Sequence, residues 1–211
     1  MNRRLVSALA VALCCALVSA ASATGKTPLQ HVTIFGDSVA ATFTWDPTAR
    51  AVLTQSDRVL FDVSPCGRLT QPGCFVPPPP SVFRKVKLLG RRIGSTVVVL
   101  VGYNDDPHVY RAGIDKVLRA MQRRGVKHVL WLTLRAINQQ YLLINEVIRG
   151  ASARWRGLMT VLDWNSYSRA HTPWFATDRV HLSALGGFQL AIYIHRSLKR
   201  LGLTGPLPPP T

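Results

Sequence analysis

Five short apolar runs punctuate the chain, and each gives way to a turn or to a segment with helical periodicity. Residues 31–35 end at Gly36, and residues 59–63, 96–101, 128–134 and 159–162 repeat the theme. The runs are rich in β-branched residues, and 96–101 is apolar at every position after Thr96. Runs that are apolar on both faces predict strands of a parallel sheet covered on both sides. Between them, apolar positions recur at helical spacing. In 109–124, Ile114, Val117, Leu118 and Met121 share one face, and Gly125 ends the run. Ile144, Val147 and Ile148 do the same in 141–155, as do Leu190, Ile194, Leu198 and Leu201 in 184–201. Ser183 stands where that last helix needs an N-cap. A shorter helix over 82–89 follows Pro77, Pro78, Pro79 and Pro80, a stiff extended lead-in. Alternating strands and helices predict a three-layer α/β/α sandwich around a flavodoxin-like parallel sheet of about five strands. Sites in such sheets form beyond the carboxyl ends of the strands.

The first residues change this picture. Arg3 and Arg4 precede an apolar stretch over 5–18, and Ala21-Ser22-Ala23 supplies small residues for cleavage. This predicts a secretory signal peptide over 1–23, a single domain over 24–204 and a Pro-rich tail over 205–211. The apolar stretch is short of the roughly 20 residues that span a bilayer, and no later run is longer. The expected location is therefore extracytoplasmic. Cys66 and Cys74 remain after cleavage and flank a turn-rich heptapeptide, which in an exported protein predicts a local disulfide. A metal pair is the alternative, but no histidine or third cysteine is near in sequence, and neither metal nor cofactor is expected. Without Arg3 and Arg4 the formal charge of +16 becomes +14. Such a field favours an anionic partner, such as a cell-wall polymer, an acidic glycan or lipid headgroups, against the plainer reading of solvated helix faces. No nucleic-acid motif accompanies it, so no nucleic-acid partner is expected. A monomer is expected.

The candidate chemistry lies at strand ends. The first strand delivers Gly36-Asp37-Ser38, and Asp178 and His181 follow far downstream, on the segment before the last helix. A serine hydroxyl becomes a useful nucleophile when a histidine takes its proton and a carboxylate orients that histidine. Each member also has a capping explanation. The third strand delivers Gly102-Tyr103-Asn104-Asp105, where the Asn104 amide can donate to an oxyanion. The second delivers Ser64-Pro65-Cys66-Gly67, and a glycine amide there is another donor, with Gly73 competing for the part. Asp163 is a rival acid, distant in sequence from His181. His31, His108, His128, His171 and His195 lack a comparable arrangement. Trp45, Trp164, Trp174 and Phe175 fall in loops near the expected site, and those in 164–175 are placed to stack on sugars, line an acyl pocket or pack in the core.

Taken together, four blocks resemble the SGNH hydrolases, the GDSL-type esterase/lipase superfamily. They are Gly36-Asp37-Ser38-Val39 (Val where the name pattern has Leu), Gly67, Gly102-Tyr103-Asn104-Asp105, and Asp178 with His181 three residues on. The resemblance covers essentially all of 24–204. It implies Ser38 as nucleophile, His181 as general base and then acid, and Asp178 as the orienting acid. It implies an oxyanion hole from the amides of Ser38 and Gly67 with the Asn104 side chain. The leading expectation is a secreted serine esterase that forms an acyl-enzyme from small acyl esters, above all acetyl esters of carbohydrate or cell-wall glycan. An O-acyltransferase on the same fold, or a non-catalytic cationic module that binds wall or lipid, are the alternatives.

Overall fold

The computed structural model describes residues 30–205, so the expected signal peptide and the tail beyond Gly205 lie outside the described residues. Five strands form one sheet: β1 Gln30–Gly36, β2 Asp57–Val63, β3 Thr96–Leu100, β4 His128–Leu132 and β5 Met159–Leu162. Every pairing is parallel, and the order is β2-β1-β3-β4-β5. This is the flavodoxin-like order, in which the chain reverses direction across the sheet between β1 and β3. The three-layer expectation holds.

Seven α-helices flank the sheet: α1 Thr42–Trp45, α2 Pro47–Thr54, α3 Val82–Leu89, α4 Pro107–Gln122, α5 Gln139–Arg154, α6 Trp164–Ser168 and α7 Ala184–Arg200. Helices α1 and α2 pack with α7, while α3 packs with α4 and α4 with α5. Right-handed crossovers require this division into two layers, because the step from β1 to β2 runs opposite to the later steps. The continuous apolar run of β3 has no solvent exposure along Val97–Val101 (97–101), as expected for the middle strand between two helical layers. Its neighbours Tyr110 and Trp131 bury their polar atoms in a relay. Trp131 Nε1 donates to Tyr110 Oη at 2.8 Å, and that hydroxyl donates to the Val101 carbonyl at 2.7 Å.

Local chemistry sets the helix starts. Asp46 and Asp106 each cap a helix that has proline at its first position, Pro47 in α2 and Pro107 in α4. Proline lacks only an amide hydrogen that would be unbonded there anyway. Helix α4 therefore starts two residues before the expected 109. Asn138 caps α5, and Ser183 caps α7 as expected. Two strands end earlier than the apolar pattern suggests, because side chains capture their next amides. Beyond β3, the amides of Gly102 and Tyr103 donate to Asp37. Beyond β4, the Leu134 amide donates to the buried Asn145, whose own amide returns a bond to the Leu134 carbonyl. Among the described residues no helix is long and apolar enough to cross a membrane.

Candidate active site

The turn after β1 is tight for steric reasons. A Cβ on Gly36 would lie 2.2 Å from Ala40 Cβ, so only glycine lets the chain fold back there. The turn is held by Asp37, whose side chain is fully buried. One carboxylate oxygen accepts from the Val39 amide at 3.1 Å. The other accepts from the amides of Gly102 and Tyr103 at 3.1 and 3.2 Å. One side chain thus closes the serine turn and clamps it to the loop after β3. Burial outweighs these three donors and pushes the Asp37 carboxyl up to about 6.

A second buried carboxylate extends the clamp. Both oxygens of Asp105 accept from the Leu69 amide, at 3.0 and 3.2 Å, tying the loop after β3 to the loop after β2. Burial pushes this carboxyl up to about 7, and nearby Asp37 adds to the effect. The Asn104 side-chain amide donates to the Gly67 carbonyl at 3.3 Å. Gly67 itself lies against the Ser38 turn, since a Cβ there would sit 3.5 Å from the Gly36 carbonyl oxygen and 3.8 Å from Asp37 Cα. The Gly67 amide donates to the Ser64 carbonyl at 2.9 Å, so it reaches a further acceptor only by sharing that bond. The rival, Gly73, packs instead against Pro79. Cys66 and Cys74 are bonded, with Cα atoms 5.5 Å apart.

The third component is a small hairpin rather than a plain loop. Phe175 and Leu182 bridge antiparallel, and the Ala176 amide donates to the His181 carbonyl at 2.8 Å. At its tip Arg179 takes a left-handed conformation, φ 61°, unusual for a residue with a Cβ. That turn lets one oxygen of Asp178 accept from the amides of Val180 and His181. The other oxygen lies 2.6 Å from His181 Nδ1, and His181 Nε2 lies 2.9 Å from Ser38 Oγ. The hydrogen bond from His181, with the two amides, holds the Asp178 carboxyl below the usual range. The imidazole and the Asp178 carboxylate are each about half exposed, 49%. Arg135 braces the hairpin from below. Its guanidinium lies 3.8 Å over the Phe175 ring and donates to the Ser168 carbonyl, and its amide donates to Tyr103 Oη.

Ser38, His181 and Asp178 therefore form one hydrogen-bonded line, with Asn104 and Gly67 joined to each other beside the serine turn. The Ser38 amide has no acceptor among the described residues. Asp163 is engaged elsewhere, capping α6 and accepting from Thr133 Oγ1 and Arg149. Among the other histidines, His195 bonds Gln55 and His171 stacks on Trp174. Of the four loop aromatics, Trp164, Trp174 and Phe175 are buried in a cluster with Tyr167 and Tyr193, while Trp45 is exposed. Asp37, Asp105 and Arg135 are the residues that sequence reasoning did not single out. Among the described residues no group of three or more His, Cys, Asp or Glu is placed to hold a metal ion.

No family model and no curated protein matches the chain. Solved structures do. A lipase/acylhydrolase from Enterococcus faecalis superposes with a TM-score of 0.62 at 16% identity, covering 85% of this chain and 100% of that one. A candidate SGNH hydrolase from Slackia heliotrinireducens superposes with a TM-score of 0.60 at 14% identity, covering 81% and 100%. A family 3 carbohydrate esterase from Talaromyces cellulolyticus gives 0.53 at 16% identity, covering 82% and 97%. The chain has the SGNH-hydrolase fold.

Proposed function

We propose that the chain is a serine esterase that cleaves short acyl esters through an acyl-enzyme. One observation carries this reading: the continuous line from Asp178 through His181 to Ser38, at 2.6 and 2.9 Å. His181 Nε2 takes the proton as Ser38 Oγ attacks the ester carbonyl, and Asp178 fixes the ring and stabilises the imidazolium. The proton then passes to the departing alcohol. Water, deprotonated by the same nitrogen, releases the acid and restores Ser38. The oxyanion is met by the Ser38 amide and by Asn104, whose second amide hydrogen is not committed to Gly67, with the Gly67 amide sharing its turn bond. Each such donor typically contributes about 3 kcal/mol in the transition state.

The acyl group is short. The imidazole and carboxylate are half exposed and Ser38 is partly exposed, and two surface grooves of about 740 and 550 Å³ are lined by none of the three. Neither groove would seat a long acyl chain attached at Ser38. The exposed rim instead suits a bulky, hydrated alcohol such as a sugar. Two of the similar structures are family 3 carbohydrate esterases, which supports an acetylated carbohydrate as substrate. The same openness favours water over a second alcohol as acceptor, since acyl transfer requires water to be excluded. A leader over 1–23 and the Cys66–Cys74 bond suit action outside the cytoplasm.

The test is acetate release from p-nitrophenyl acetate, acetylated xylan and O-acetylated peptidoglycan. Wild-type protein is expected to release acetate from at least one of them, and Ser38→Ala to lose at least about 10⁴-fold in rate. Absence of any Ser38-dependent turnover refutes the esterase reading.

A further inference from the structure

A groove of about 740 Å³ is lined by none of Ser38, Asp178 and His181, and nothing in the proposed chemistry uses it. Its apolar lining comprises Pro78, Pro79 and Pro80 with Phe83 and Leu88. Its rim carries Arg84 and Lys87. Phe83 is itself covered by cations, with Lys116 Nζ 4.5 Å and Lys87 Nζ 5.5 Å from its ring centre. No carboxylate lines the groove, and none of Arg84, Lys87 and Lys116 has a carboxylate partner among the described residues.

Beside the groove the chain makes a rigid projection. The Gly73 amide donates to the Pro79 carbonyl at 2.9 Å, closing a loop whose base is tied down by the Cys66–Cys74 bond. Phe75 and Val76 stand at its tip, 57% and 97% exposed, and Leu88, which lines the groove, is 63% exposed. Scattered apolar residues on a surface are ordinary, but adjacent ones on a tethered tip next to uncompensated cations are not. A soluble polyanion would account for the cations and leave Phe75 and Val76 in water. An anionic lipid surface accounts for both, because headgroups meet the cations while the tip enters the headgroup and acyl boundary.

We propose that this face docks the protein peripherally on anionic membranes, with Phe75 and Val76 inserted and Arg84, Lys87 and Lys116 against the phosphates. The tip is pinned at both ends, so little chain entropy is lost on insertion. No spanning helix is required of the described residues.

Co-sedimentation with vesicles tests this without reference to turnover. Purified protein should bind vesicles of phosphatidylcholine with one-third phosphatidylglycerol, and bind pure phosphatidylcholine at least about tenfold more weakly. The double variant Phe75→Ser, Val76→Ser should lose about tenfold in partitioning to the anionic vesicles. Leu88→Ser should lose less and serves should the tip variant fold poorly, with unchanged thermal unfolding as the control. Arg84→Gln and Lys87→Gln should each cost about fivefold, an effect erased by high salt. Ser38→Ala should bind as wild type, so loss of the esterase reading would leave this result standing. Equal binding to both vesicle types overturns the proposal. So does wild-type binding by the tip and Leu88 variants together with displacement by soluble dextran sulfate, which would assign the basic face to polyanions instead.

Discussion

Asp37 adjoins Ser38 in the chain and Asp178 reaches it through His181, and the surroundings of the two carboxyls divide the site into two regions. Behind the serine, Asp37 and Asp105 are buried and bonded only to backbone amides. They join the loops after β1, β2 and β3 into one body, and burial raises both carboxyls. In front, Asp178 and His181 sit half exposed on a hairpin held by its own backbone bonds and by Arg135 beneath Phe175. There the carboxyl is lowered by the partners that need its charge. The buried side tolerates charge poorly and uses it to fix geometry, while the open side keeps its charge beside an imidazole within reach of solvent.

Three measurements probe this division. Asp178→Asn should give the largest effect, a loss of about 10⁴-fold in kcat/KM with little change in thermal stability, because the amide leaves the imidazole in the wrong tautomer. A rate within about tenfold of wild type would remove the hairpin from the chemistry. Asn104→Ala should lose about 10²–10³-fold in kcat with a smaller effect on KM, since its donor matters most once the oxyanion forms. An effect confined to KM would make Asn104 a substrate contact only. The smallest effect concerns stability. The folded carboxyls of Asp37 and Asp105, about 6 and about 7, lie above the ordinary value of 3.8. Between these limits the native state binds more protons than the unfolded one, so unfolding free energy falls as pH rises. The two groups therefore favour the fold most fully below about pH 4 and lose that contribution as pH passes 6 and 7, by at most on the order of 3 kcal/mol for Asp37 and 4 kcal/mol for Asp105. Urea midpoints from about pH 5 to pH 8 should show the decline, and Asp105→Asn should flatten it. An unchanged slope would mean that Asp105 is not part of a proton-sensitive clamp.

Much of this architecture was legible in the chain. Continuous apolar runs announced buried parallel strands, and the spacing of Asp178 and His181 announced a turn that can pair them. Other features were hidden for identifiable reasons. Asp37 reads as an ordinary turn residue, because its acceptors' donors, Gly102 and Tyr103, lie on a loop sixty-five residues away. Helix α2 has too few apolar positions to show a clear stripe, although Asp46-Pro47 is a start signal that could have revealed it. Asn145 ends β4 from within a helix whose periodicity gives no sign of a buried amide. Trp174 and Phe175 have the composition of a sugar platform, yet pack against Trp164, since only tertiary contacts decide which aromatic faces are covered.

The loop between β2 and α3 carries one further consequence. The Cys66–Cys74 bond and the Gly73–Pro79 hydrogen bond divide it into a stretch around Gly67 that adjoins Ser38 and an outer stretch over 75–78 that touches the site nowhere. Mechanically the outer stretch is a cassette behind a clasp. A peptide of choice grafted there would replace the surface that Phe75 and Val76 present while the stretch around Gly67 keeps its alignment beside Ser38.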